Sequence, residues 1–198
     1  MLTRGKDTNI IEHALSLERK IALEKPNSVK VSLKLPVVGI EGIWVPDEKQ
    51  REAAWEMYVE LITRIAVAEL KPDEGLLREA LSSLYSLFKT TREILRKYGP
   101  AVAKPKGKHN LSFGYLAVAI LNLVLRPVLA RWHPLLLDYE NSKDGKISPL
   151  KHELKWEKAG ELREVLNTTR KILIDYAGLL AQVAGVPSLV IKCEQAET

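Results

Sequence analysis

The chain has 198 residues, 46% of them hydrophobic and 28% charged, with a formal net charge of +5. That is the balance of an ordinary globular domain, with apolar side chains enough for one core and too little positive charge for a protein that coats nucleic acid. One cysteine, Cys193, excludes an internal disulfide framework and suits a reducing, cytoplasmic setting.

The opening residues hold no apolar stretch ahead of a small-residue cleavage site, so no secretory leader is expected. Apolar pairs at Ile10–Ile11 and Ala14–Leu15 suit a helix from Thr8 to Leu23, ended by Pro26 and Asn27. Residues 1–27 therefore read as a helical or flexible segment ahead of a single domain, 28–198. In VKVSLKL, Val29, Val31, Leu33 and Leu35 alternate with Lys30, Ser32 and Lys34, the period of a half-exposed strand. VVGIEGIWV, after Pro36, reads as a second strand, giving a β-hairpin or β-arm over 29–45.

Asp47 is a good N-cap, with Gln50 at the capping-box position. The helix it opens carries a seam of Ala54, Tyr58, Leu61, Ile65 and Ala68, and breaks at Lys71-Pro72-Asp73. Asp73 is expected to cap a second helix with the seam Leu77, Leu81, Leu84, Phe88, Thr91, Leu95 and Tyr98, stopped by Gly99-Pro100. After a basic loop, AVAKPKGKHN, a third helix starts at Asn110 or Ser112. It is apolar nearly all round from Phe113 to Leu125, so a central position is expected. Its greasiest part, Leu116 to Leu125, is shorter than the roughly 20 residues of a membrane span, and no membrane association is expected. Pro127 predicts a kink, and Pro134 a second break that starts a new segment.

A polar linker covers 141–151. The last long helix is expected from near Leu154, with the seam Leu162, Leu166, Thr169, Leu173, Tyr176, Leu180 and Val183, ended by Gly185 and Pro187. The tail SLVIKC is a candidate short strand beside the hairpin. The reading is mainly α: a four-helix-bundle-like core with an N-terminal β-arm and a candidate C-terminal strand. TTREILRKY at 90–98 matches TTRKILIDY at 168–176, and their seams align. Either a helix pair was duplicated or two helices met the same packing problem.

Few residues point to chemistry. His13, His109, His133 and His152 are not paired at metal-ligand spacing, and HELKW at 152–156 lacks the second histidine of a zinc-protease helix, so no metal and no cofactor are expected. Neither a G-x-S-x-G nor a phosphate-cradling glycine loop is present. The stretch RPVLARWHPLLLDYE offers the best candidate: Arg126, Arg131 and His133, joined by Asn122, around the expected Pro127 kink, as a pocket for a small anion or nucleotide. The alternative is structural. Arg126 and Arg131 would pair with acids such as Glu79, Glu93 or Glu140, Trp132 would cover an arginine, and Asn122 would be a buried polar pin that fixes register. A second candidate is a basic pole of Lys30, Lys34, Lys104, Lys106 and Lys108, able to contact phosphates weakly. It has no aromatic residues interleaved to stack bases.

SLYSLFKTTREIL, YGP and LAVAILNLVLRPVLARWHP resemble an uncharacterised family of bacterial helical proteins over residues 48–140. The resemblance implies a helical fold and a place in bacterial conflict or defence systems. It carries no activity and no catalytic residue. The function expected from all this is a non-catalytic, cytoplasmic accessory or adaptor subunit that binds a protein partner or itself, through the β-arm or surplus seam. The alternatives are a sensor or enzyme for a small anion at the kink, and weak nucleic-acid binding at the lysine pole.

Overall fold

A computed structural model describes residues 26–64, 75–106 and 111–189. The expected helix over Thr8–Leu23, the seam positions Ile65 and Ala68, the Asp73 cap, Lys108, Asn110 and residues 190–198 of the tail lie outside the described residues.

The fold is mainly α with a two-stranded antiparallel hairpin. Strands β1 (Val29–Lys34) and β2 (Gly39–Trp44) pair in register, Val29 opposite Trp44 and Lys34 opposite Gly39. The alternation read in β1 is the burial observed: Val29, Val31 and Leu33 face the core, and Lys30, Ser32 and Lys34 face outward. Helix α1 (Glu48–Ile62) is capped by Asp47, whose side chain accepts from the Gln50 N–H at 2.9 Å. It ends well short of the expected Lys71-Pro72 break. Helix α2 (Leu77–Tyr98) runs antiparallel to it, since Glu56 meets Lys97 and Tyr98 while Arg64 meets Thr90. Helix α3 (Phe113–Asn141) spans 29 residues, started by Ser112, which accepts from the Tyr115 N–H. A short helix α4 (Pro149–Glu153) precedes α5 (Ala159–Ala184), which Gly185 closes in the left-handed conformation at φ 72°. The last long helix thus begins one turn later than the sequence suggests. Ser148 and Pro149 start α4 instead, and Trp156 packs edge-on against Trp132 in the turn that follows. All seven α5 seam residues are buried.

Helix α1 packs between α5 and α2, and α2 packs against α3. Arg51 at the start of α1 meets Val183 at the end of α5, and Arg78 at the start of α2 meets Glu140 at the end of α3, so the four long helices run up, down, up, down. The hairpin lies on α5 through β1. Ser188 and Leu189 extend the chain past α5 without forming a strand.

The break predicted at Pro134 is absent. Pro134 lies inside a continuous α-helical stretch, Arg126–Asn141. Ahead of Pro127 the backbone widens into a π-segment, Ile120–Leu125, in which the Arg126 N–H reaches the Leu121 carbonyl five residues back. The buried positions explain the widening. Phe113, Ala117, Ile120 and Val124 are spaced four-three-four, and so are Leu125, Leu129, Trp132 and Leu136, but a single step joins the two sets. In a plain α-helix that extra residue would rotate the second set by about 100° away from the first. A π-turn absorbs one residue, so both stretches face the same core. The wider turn also spares the Pro127 ring a clash with the carbonyl behind it. By length and composition α3 could cross a membrane, and 56% of its most apolar window is buried in the fold.

Buried polar side chains tie these elements together. Gln50 is fully buried and its side chain does not close a capping box. Its Oε1 accepts from Trp44 Nε1 (2.7 Å) and from the Phe113 N–H (3.1 Å), and its Nε2 donates to the Lys104 carbonyl (3.2 Å). Arg51 Nη1 donates to the Val183 carbonyl at 2.7 Å, so a guanidinium meets the electronegative end of α5. No side chain of α2's own leading residue, Leu76, caps that helix. The Glu153 carboxylate does so from α4, accepting from the Leu77 N–H at 2.9 and 3.0 Å.

Candidate functional site

A groove of about 760 Å³ runs between α2 and α3. Its α2 wall is Tyr85, Ser86, Phe88, Lys89 and Arg92, and its α3 wall is Arg126, Leu129, Ala130 and His133. The α3 residues stand three, four and seven apart, one helical face. On α2 the residues Tyr85, Lys89 and Arg92 form the stripe beside the buried seam of Leu84, Phe88 and Thr91.

The floor is apolar and the rim is cationic. The Arg92 and Arg126 guanidiniums lie 5.5 and 5.6 Å from the centre of the Phe88 ring, both within cation–π range. Arg126 holds the Asn122 side-chain oxygen through Nε and Nη2 at 3.1 and 2.9 Å. Among the described residues neither Arg92 nor Arg126 pairs with a carboxylate, and Lys89 reaches only Glu93, at 3.9 Å.

The opposite end is neutral by construction. Arg78 binds Glu140 through Nε at 3.0 Å and Nη2 at 2.6 Å, which cancels both charges. Arg78 Nη1 faces His133 Nδ1 at 2.8 Å. Burial and the adjacent Arg78 charge hold the His133 pKa below its ordinary value, against smaller opposing effects of the Leu81 backbone and Glu140. Tyr85 meets the imidazole edge-on at 5.7 Å. Ser86 is already spent: its hydroxyl donates to the Ser83 carbonyl at 2.7 Å and accepts from Arg64.

Of the four residues singled out around Pro127, the fold brings Arg126 and His133 into one groove, with Asn122 behind Arg126. Arg131 is elsewhere. It pairs with Glu161 at 2.6 Å and covers Trp132 at 4.9 Å. Five residues turn a helix by about 140°, so Arg126 and Arg131 cannot share a face. Asn122 is exposed, on the outer face shared with Tyr115 and Val118, which rules out its reading as a buried pin. Of the acids expected for the arginines, Glu140 serves Arg78 and Glu93 lies beside Lys89, while Arg131 finds Glu161 instead.

The lysine candidates divide. Lys106 stands 3.8 Å from Asp47, and the Lys104 carbonyl accepts from Gln50, so this loop does lie at the start of α1. Lys30 and Lys34 line a different groove, between β1 and α5. Among the described residues no three His, Cys, Asp or Glu side chains gather as a metal site. Tyr85, Phe88, Lys89 and Arg92 were not foreseen as site residues, although the stripe beside the α2 seam carried the signal.

No family model, no curated protein and no solved structure matches this chain.

Proposed function

We propose that this protein works by binding, as a non-catalytic accessory subunit, and that the α2–α3 groove takes an amphiphilic anion: a carboxylate, sulfonate or phosphate carried on an apolar or aromatic body. The observation that carries this reading is the pair Arg92 and Arg126 against Phe88, two guanidiniums without a carboxylate partner among the described residues above an apolar floor. The apolar body would lie on Phe88, Leu129 and Ala130, and the anionic head would meet the guanidiniums, which bind planar acids bidentately. The volume is within the usual range for small-molecule sites. Support for binding over chemistry comes from the spent polar groups: Ser86 is bonded to its own helix, and His133 offers its lone pair to Arg78.

The test is displacement of anilinonaphthalene sulfonate, an aromatic anion that fluoresces when bound, by dodecanoate and by dodecanol. Dodecanoate is expected to compete at least tenfold better, and the Arg92→Gln/Arg126→Gln double variant to erase that preference. Equal competition by acid and alcohol, or a preference intact in the double variant, would sink the reading.

A further inference from the structure

A second groove, of about 750 Å³, lies along the outer edge of the hairpin, between β1 and α5. Its strand wall is Lys30, Ser32, Leu33 and Lys34, and its helix wall is Ile174, Asp175, Gly178, Leu179 and Gln182. The phase of the hairpin decides what this edge offers. The Leu35 N–H bonds the Val38 carbonyl at 3.1 Å, so Leu35 and Val38 form a hydrogen-bonded pair at the turn. Bonded and non-bonded pairs alternate in an antiparallel ladder. Leu33, Val31 and Val29 therefore bond to β2, while Lys34, Ser32 and Lys30 direct their N–H and C=O groups away from it. Among the described residues nothing pairs with those groups.

We propose that this edge is a docking site for an extended peptide segment of a partner protein, added antiparallel as a third strand, with acidic residues opposite Lys30 and Lys34. Three observations converge. First, an alternating row of unpaired donors and acceptors is a template for another strand. Second, the dimensions agree: Lys30 to Lys34 spans about 13 Å of strand, and Ile174 to Gln182 spans about 12 Å of helix. Third, the groove has room and a defined chemistry. A Cβ built on Gly178 meets nothing within 4 Å, so the helix wall is open there. Lys30 and Lys34 stand four apart on the outward face, where opposite charges on a neighbouring strand stabilise pairing. Residues of the incoming strand that alternate with the acids would turn inward onto Ile174 and Leu179. The recognised pattern is thus acidic, apolar, any, apolar, acidic. Lysines on an edge strand ordinarily discourage indiscriminate pairing. Here the same two charges would select the partner.

The experiment is selection from a displayed random octapeptide library on the intact protein, followed by anisotropy measurements with the enriched peptides. Peptides with acids four apart are expected. N-methylation of alternate amides in a selected peptide should weaken binding at least tenfold without touching the protein. Ser32→Pro, which deletes the central donor while keeping an extended backbone, should do the same. Lys30→Glu/Lys34→Glu should turn the selection toward basic peptides. Failure to enrich any peptide, enrichment indifferent to N-methylation and to Ser32→Pro, an oligonucleotide competing at the same edge with that indifference, or a Ser32→Pro-sensitive homodimer in sedimentation would each overturn the proposal.

Discussion

Arg78 Nη1 and His133 Nδ1 stand 2.8 Å apart, and a guanidinium can only donate, so the imidazole accepts at Nδ1 and carries its proton on Nε2. This contact adds to the burial that disfavours protonation of His133 in the folded protein. Its pKa is depressed by burial first and by the Arg78 charge second. Below the ordinary value of 6.5 the unfolded chain binds a proton that the folded chain resists. Stability should therefore fall as pH drops from 6.5 toward the folded value, and this contribution should be level above 6.5. Denaturant titrations of the wild type and His133→Gln between pH 5 and 8 check it. The variant should lose that part of the slope while glutamine still accepts from Arg78. The raised pKa of Glu153, caused chiefly by burial, acts in the opposite sense, lowering stability as pH rises through its folded value, and cancels in the comparison.

Gln50 joins β2, the loop after α2 and the first turn of α3 through three hydrogen bonds. Gln50→Leu puts a shorter, branched apolar side chain in place of the amide, and leaves Trp44 Nε1, the Phe113 N–H and the Lys104 carbonyl without their partner. The expected cost is about 3 kcal/mol, the desolvation of buried donors that have lost their acceptor. Urea unfolding with an unchanged slope should report it, accompanied by a shift in Trp44 fluorescence.

Glu153 acts as the missing cap of α2. Glu153→Ala removes the acceptor of the Leu77 N–H and a charge beside Arg163, 3.6 Å away. A loss of about 2 kcal/mol is expected. Hydrogen exchange should locate it: amides at the start of α2 should lose protection before those of α1. Uniform loss across both helices would contradict the capping role.

Tyr98 and Tyr176 occupy equivalent places in the two TTR motifs but differ in their hydroxyls. Tyr98 donates to Glu56 at 3.1 Å at the surface, whereas the Tyr176 hydroxyl is buried and finds no hydrogen-bond partner among the described residues, and burial raises its pKa. Tyr176→Phe should therefore stabilise the protein, by about 1 kcal/mol, seen as a rise of about 3 °C in Tm. Tyr98→Phe should instead lose a partly exposed bond and change little.

The parts legible in the sequence were those with a local cause. The period of two in β1, the Asp47 and Ser112 caps, and the four-three seams of α2 and α5 each depend on residues within a turn or two. The parts that were not legible depend on distant residues meeting. Gln50 finds Phe113 63 residues away, Glu153 finds Leu77 76 residues away, and Arg51 finds Val183 132 residues away. At the candidate site, Arg126 and His133 could be grouped because seven residues return a helix to the same face. Arg131 was grouped with them by proximity in sequence alone, which a helix does not respect. The Pro134 break failed for another reason: a helix held along its length by core contacts can absorb one missing donor, although propensity alone disfavours it.

The π-segment of α3 makes the helix unusually forgiving of one kind of change. Between Phe113 and Ala119, deleting a residue would swing every later side chain around the axis and pull Arg126 and His133 out of register with α2. Between Ile120 and Leu125 the same deletion would let the wide turn tighten into an ordinary one. Leu129, Trp132 and Leu136 would stay on the core, and the α3 wall of the groove would slide along the axis by at most about the 1.5 Å rise of one residue. The helix thus carries a spare residue, and its length can be adjusted at that one place without repacking the bundle.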